Sequence, residues 1–204
     1  MSSARRILIA VPDRFVGERV IVRPFAADDA APLFAAIQES RAHIQTWLPW
    51  ADQHHSVDDT LEFIRRTQAR WILRDGFGMG IFARQEGTFL GGIGLGVVSW
   101  DVRAFDIGYW VRKSAEGHGY VGEATRVVTT LAFASLKARR VAIRCDARNT
   151  RSKAIPERLG YVYEGCLRRS ELDTTGQPFD MLIFAMIPED YQKARAAWTQ
   201  ASRS

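Results

Sequence analysis

Residues 104–137 constrain the fold more than any other stretch of the chain. Ala104 to Val111 (AFDIGYWV) reads as a strand and Arg112 to Gly122 as a polar, glycine-rich turn. An amphipathic helix follows over 120–137, with Tyr120, Ala124, Val127, Val128 and Leu131 as its inner face. A glycine turn opening a helix lets several backbone N–H groups point at one anion, and the helix dipole adds partial positive charge there. Within the turn, Gly117-His118-Gly119-Tyr120-Val121-Gly122 matches G-x-G-x-x-G letter for letter, the pattern of a dinucleotide-binding crossover. The match fails on context. In a dinucleotide site the first glycine ends the strand directly, whereas Arg112 to Glu116 (RKSAE) intervene here. Only about 58 residues follow Asp146, too few for the rest of a doubly wound sheet. The anion site survives that rejection. Three glycines in six residues, with Arg112 and Lys113 just upstream, favour phosphate binding over a turn that merely connects strand to helix.

The remaining segments read as α+β. Glu18 to Phe25 is a short strand ended by Pro24, and Asp28 is expected to cap a helix that holds Pro32 in its first turn and buries Leu33, Phe34 and Ile37. His43 to Trp50 is aromatic-rich and broken at Pro49, a short helix and turn. Ser56 with Asp59 resembles a capping box for a longer helix carrying Val57, Leu61, Ile64 and Trp71 and stopping near Asp75–Gly76. Strands over Met79–Arg84 and Phe89–Val98 flank a hairpin turn, and Gly91, Gly92, Gly94 and Gly96 mark the second for bulges or close backbone packing. A strand over Arg140–Ala147, a short helix over 151–159 and two strands near 161–169 and 179–187 complete the pattern. The expected layout is a loosely held lead-in over 1–14, one domain over 15–190 and a C-terminal helix and tail over 191–204.

Composition narrows the partners. The chain has 28 Lys+Arg against 23 Asp+Glu, a net charge of +5 carried by Arg (24) far more than Lys (4). No basic run exceeds two residues, so no direct nucleic-acid partner is expected. No apolar stretch approaches the ~18 residues of a membrane span. Met1 to Asp13 lacks the long apolar core of a signal peptide, and a cytoplasmic protein is expected. Two cysteines, Cys145 and Cys166, make neither a disulfide framework nor a metal set. His54–His55 beside Asp52 and Asp58 read as a solvated turn rather than a metal site, and no metal is expected.

Several short motifs fall in one order along the chain: Trp47-Leu48-Pro49-Trp50, Asp106-Ile107-Gly108-Tyr109-Trp110-Val111 and Gly119-Tyr120-Val121-Gly122-Glu123-Ala124. Asn149-Thr150-Arg151-Ser152, Ile155-Pro156-Glu157-Arg158-Leu159-Gly160-Tyr161 and Glu164-Gly165-Cys166-Leu167 follow. In this order they resemble the GNAT superfamily of acetyl-CoA-dependent N-acetyltransferases, RimJ/RimL-type branch, over about 17–190. The resemblance implies a mixed, mostly antiparallel sheet, splayed beside the glycine loop and flanked by helices, with acetyl-CoA as co-substrate and its pantetheine arm between two strands. It implies that the backbone of Tyr109, Trp110 and Val111 holds the pantetheine and acetyl group. It gives the pyrophosphate to the amides of Gly117, His118, Gly119, Tyr120, Val121 and Gly122, the pantetheine arm to Asn149, and the neighbourhood of the sulfur to Ser152. The family loop pattern, Gln/Arg-x-x-Gly-x-Gly/Ala, is broken by Glu116 in its first place and Val121 in its last. An acidic group facing a pyrophosphate is unfavourable unless it turns to solvent or pairs with Arg112; Val121 costs room but keeps its N–H.

Acyl transfer to an amine requires a neutral amine, a donor for the developing oxyanion and a proton for the departing thiolate. A backbone N–H at Trp110–Val111 supplies the second if the strand bulges there. The tyrosine acid that many family members carry after the Asn is missing between Asn149 and Gly160, and Ser152 stands in its place. Pro156 cannot donate to the Ser152 carbonyl, so the helix is expected to loosen at Ser152; a plain helix-start serine is the rival reading. Glu171 is the candidate base by resemblance, against a carboxylate merely paired with Arg168 or Arg169, a water chain to Asp106, or no base. Trp47 and Trp50, flanking Pro49, are placed at the acceptor pocket. The acceptor implied is a protein N-terminal α-amine, as on a ribosomal protein. A small amine (aminoglycoside, polyamine or amino-acid derivative) stays open because Asp52, Asp58, Asp59 and Glu62 cluster near the tryptophans. A non-catalytic acyl-CoA-binding role also stays open, motivated by Glu116 and Val121. Monomer and homodimer are both left open.

Overall fold

The early strands lie beside their sequence neighbours, joined by short turns or, in one case, by a pair of helices, and one crossover helix then breaks the pattern. The computed structural model describes residues 3–201. Its strands are β1 (Phe15–Val16), β2 (Val20–Pro24), β3 (Gly76–Ala83), β4 (Phe89–Ser99), β5 (Ala104–Val111), β6 (Arg140–Asp146), β7 (Val162–Leu172) and β8 (Pro178–Met186). They form one sheet in the order β1-β2-β3-β4-β5-β6-β8-β7. Among the described strands only β5 and β6 pair in parallel. A parallel pair cannot be joined by a tight turn; here α3 (Tyr120–Ala134) makes the crossover.

Helices α1 (Ala30–Ile44) and α2 (Val57–Leu73) cover one face of the sheet, burying Leu33, Ile37 and Ile64 against Phe25, Phe82 and Phe89. On the other face, Val128, Leu131 and Leu136 pack on Phe77, Leu95, Phe105 and Ile143. Strand alternation explains the division, since Ile81 faces one core and Phe82 the other. Helices α4 (Thr150–Leu159) and α5 (Pro188–Ala201) complete the set. No described helix is long and apolar enough to cross a membrane.

The feature that matters for the site is where the parallel pairing stops. It runs from Ala104↔Arg140 to Ile107↔Ile143 and no further. Beyond that point β5 stays paired with β4 as far as Val111, and β6 stays paired with β8 as far as Asp146. Each strand keeps its outer neighbour while the inner edges part, and the sheet opens into a wedge.

Local expectations are refined in three places. No side chain caps the first helix; Asp29, not Asp28, ties down the turn that leads into it, its carboxylate accepting from the Ala26 N–H at 2.7 Å and locked by Arg23 at 2.7 and 2.8 Å. Within the stretch expected to be a loose lead-in, residues 9–11 are tied down: Ile9 and Val11 pack on the core and Arg74 donates to the Ile9 carbonyl at 2.7 Å. Close backbone packing holds at Gly91, where a Cβ would collide with the Trp110 carbonyl oxygen.

Candidate active site

The wedge opens into a cleft of about 1580 Å³. Alternation along β5 gives the cleft two sides. Asp106, Gly108 and Trp110 face the α1–α2 layer, while Tyr109 and Val111 face α3 and α4. All five line the cleft, as do Trp47 from the α1–α2 connection and Ser152 from α4. The cleft therefore passes through the sheet. No Cβ contact would arise within 4 Å at Gly108 or at its partner Gly94, so the α1–α2 side is open there.

Of the residues singled out in sequence, Trp47, Tyr109, Trp110, Val111, Gly117, Gly119, Tyr120, Val121, Gly122, Asn149, Ser152 and Glu171 line this one cleft. His118 and Trp50 do not. The His118 ring stacks on Tyr120 at 5.6 Å, and its carbonyl accepts from Arg19 at 3.0 Å. Trp50 lies behind the lining, edge-on to Trp110 at 5.7 Å.

The condition set for an oxyanion donor at Trp110–Val111, a bulge on β5, is not met there: the register with β4 is unbroken from Gly91↔Val111 to Val97↔Phe105. The irregularity near this point falls on β4, where β3 pairs Ile81 with Gly91 and Phe82 with Phe89. The Arg112 N–H donates to the Leu90 carbonyl at 2.9 Å. Alternation of an extended strand then turns the N–H groups of Val111 and Tyr109 away from β4, into the wedge.

The glycine loop is pinned at both ends and open in the middle. From α1, Ser40 accepts from the Lys113 N–H at 2.9 Å and Glu39 from the Ser114 N–H at 2.7 Å. On the far side, the buried Glu123 carboxylate accepts from the Arg19 and Val20 N–H groups and from the Arg19 guanidinium, fixing the first turn of α3 to β2. Between these anchors Gly117 (φ 80°) and Gly119 (φ 77°) take the left-handed conformation, which glycine alone adopts without cost. No side chain caps α3. Its first-turn amides have no intrahelical partner by geometry, and they face the cleft.

Glu116 does not pair with Arg112, which the Glu39 carboxylate captures at 2.9 Å from Nε. Arg112 in turn holds Glu39 down to a pKa of about 2. Glu116 instead meets Lys113 at 2.7 Å, Arg151 at 2.8 Å and His43 at 3.4 Å. Lys113 above all holds its carboxyl below the usual range. Val121 is largely buried and lines the cleft.

Helix α4 departs from expectation at Pro156. The carbonyl of Ser152, which Pro156 cannot satisfy, accepts from the Tyr109 hydroxyl at 3.1 Å. The helix is continuous over Thr150–Leu159 rather than loosened. The Ser152 hydroxyl in turn donates to the Tyr109 oxygen at 3.3 Å. Burial pushes the Tyr109 phenol up, so it keeps its proton. Asn149 is the N-cap, its Oδ1 accepting from the Ser152 N–H at 3.0 Å. A tyrosine does reach the start of this helix, but from β5.

Glu171 pairs with Arg144 at 3.6 Å rather than with Arg168 or Arg169. Arg144 also lies 3.4 Å from Asp106, whose carboxyl is raised by burial against the opposing pull of Arg144 and Arg140. The acidic residues near the tryptophans turn elsewhere. Asp59 caps α2, Glu62 pairs with Arg66 and Asp52 with Arg41, and none of them lines the cleft. His54 is buried rather than solvated, with Nδ1 3.0 Å from the Thr60 hydroxyl. Among the described residues no group of His, Cys, Asp and Glu could hold a metal ion.

Residues 19–162 match the acetyltransferase (GNAT) domain family. The chain belongs to this family. Among its relatives, the Bacillus subtilis protein YdaF, which carries a ribosomal N-acetyltransferase name, is 29% identical over 178 residues, 87% of this chain and 96% of its own. The ribosomal-protein-serine acetyltransferase of Escherichia coli is 26% identical over 157 residues, 76% of this chain and 86% of its own. Among solved structures, Mycobacterium smegmatis RimJ in complex with CoA-disulfide superposes with a TM-score of 0.81 at 24% identity, covering 91% of this chain and 95% of that one. The GNAT chain is an acetyl-CoA-dependent N-acetyltransferase with the expected splayed α+β fold. Open amides at α3 and a wedge with inward N–H groups suit a phosphate-bearing, extended co-substrate. Sequence reasoning missed Arg19, His43 and the Tyr109 hydroxyl; each acts through a partner too distant in sequence to leave a local signal.

Proposed function

We propose that this enzyme acetylates the N-terminal α-amine of a protein, a ribosomal protein foremost, with the acceptor entering from the α1–α2 face and acetyl-CoA from the α3–α4 face. The cleft that passes through the sheet carries this reading, because it gives each substrate its own side and one meeting point. The names of YdaF and the Escherichia coli relative support the same acceptor class. A small polycation is disfavoured, since Asp52, Asp58, Asp59 and Glu62 stand outside the cleft lining.

Acetyl-CoA supplies an activated thioester. The inward N–H groups of Tyr109 and Val111 hold the pantetheine arm and stabilise the acetyl oxygen as it gains charge. The amides of Gly117 to Gly122 and the α3 dipole take the pyrophosphate. Asn149 spends its Oδ1 on the cap and keeps its NH₂ for the pantetheine arm. The Ser152 hydroxyl, held at 3.3 Å by the Tyr109 oxygen in the free site, turns its one proton from that oxygen to the departing sulfur. A peptide α-amine titrates near pH 8, so a modest base suffices. Asp106, half-buried at the start of the wedge, takes that role, with Glu171 as the second carboxylate on Arg144. Trp47 flanks the acceptor, and Trp50 supports it from behind through Trp110.

The test is release of free CoA thiol with N-terminal peptides, then with polyamines and aminoglycosides, followed by mass spectrometry of the product. Acetylation of a peptide α-amine is expected; turnover confined to the small amines overturns the acceptor assignment. Ser152→Ala should slow turnover by roughly a hundredfold, as loss of a proton donor does. Asp106→Asn should abolish the acidic limb of the rate–pH profile. If Glu171→Gln abolishes it instead, the base is Glu171.

A further inference from the structure

Glu116 is the one acidic side chain in the glycine loop, and it stands where two cations and a histidine from three elements converge. Lys113 comes from the loop itself, Arg151 from α4 and His43 from α1. Their contacts with the carboxylate are 2.7, 2.8 and 3.4 Å. All four residues line the cleft beside the open amides of α3. Because α1 and α4 lie on opposite faces of the sheet, the cluster spans the mouth of the wedge. Without a counter-charge, the two converging cations, Lys113 and Arg151, would repel one another. One carboxylate offers two oxygens and a single charge, less than such a set can take.

We propose that Glu116 is a resident counter-ion: it gathers His43, Lys113 and Arg151 while the site is free and gives them up to a phosphate group of the co-substrate. This rests on the loop being the phosphate site. The exchange is easy because the cationic ends are accessible, the Arg151 side chain being 77% exposed and that of Lys113 55%. Exposed pairs of this kind are individually weak, so an incoming phosphate displaces the carboxylate rather than facing a locked network. The cost appears as affinity, since binding must first separate Glu116 from its partners. A carboxylate at this place is therefore a brake on co-substrate affinity, set by the chain itself.

Calorimetric titration of the full chain with CoA tests this without reference to turnover. Glu116→Gln should tighten CoA binding by roughly three- to tenfold at low salt. The gain should shrink as salt screens the cations. In a Lys113→Gln/Arg151→Gln background the same substitution should give no gain, because the cations it would free are gone. Glu116→Ala should repeat the result, which separates lost charge from any new contact of the glutamine. Repeating the series with 3′-dephospho-CoA distinguishes the phosphates: a gain that disappears assigns the cations to the 3′-phosphate, and one that persists assigns them to the pyrophosphate. Unchanged or weaker binding by both variants, or a gain that survives in the doubly substituted background, overturns the proposal. A wild-type chain that fails to bind CoA at all would instead overturn the reading of the loop on which the proposal rests.

Discussion

Helices α2 and α3 begin in opposite ways. At α2 the chain closes its own end: the Ser56 hydroxyl accepts from the Asp59 N–H at 3.1 Å, and the Asp59 carboxylate accepts from the Ser56 and His55 N–H groups at 2.9 and 3.0 Å. At α3 the preceding residue is a left-handed glycine with no side chain to offer, and the first-turn amides are left facing a cleft. The same four orphan donors exist at both ends. One set is consumed internally and stabilises the fold; the other is held in reserve for an anion. Helix α4 lies between the two, since Asn149 caps it and lines the cleft as well.

The largest expected effect comes from closing the open end. At Gly122 a Cβ meets nothing within 4 Å, so Gly122→Asp should be accommodated while bringing a carboxylate to the amides of α3. CoA affinity should fall by about a hundredfold with little change in thermal midpoint, read by calorimetry and thermal denaturation. A retained affinity would mean that phosphate binds elsewhere. Asn149→Ala should show both effects, weakening CoA binding roughly tenfold and destabilising the chain by about 1 kcal/mol. Asn149→Asp, which preserves the cap, should restore stability without restoring affinity. Ser56→Ala should cost about 1 kcal/mol in chemical denaturation and leave CoA affinity unchanged.

The smallest effect is on pH. The Ser56 hydroxyl and nearby N–H groups lower the Asp59 carboxyl in the folded chain. Its contribution is therefore present above the unfolded value of about 4 and is lost as pH falls through the folded value. Acid unfolding curves of Ser56→Ala should be correspondingly shallower in that range.

What was legible in the sequence follows the same division. The α2 box was readable because donor and acceptor are three residues apart, and β5 because its alternation is local. The wedge was not readable from spacing, since it depends on where β5 and β6 stop pairing and on β8 inserting between β6 and β7. The lost hydrogen bond at Pro156 was visible, but its replacement lies 43 residues away on β5. Solvent and Arg112 were the two outlets open to Glu116 from local spacing, whereas α1 folds over the loop and delivers Glu39 to Arg112.

The parting of β5 and β6 has a consequence for the molecule outside its chemistry. A sheet ordinarily has two edges, and exposed edges invite pairing with other chains. This sheet has two more, formed by the inner sides of β5 and β6, each with unpaired backbone groups. They face each other across a gap walled by α1 on one side and α4 on the other, out of reach of a flat strand from another molecule. The enzyme thus keeps a pair of unpaired edges in its interior, and admits to them only what is narrow enough to thread the sheet.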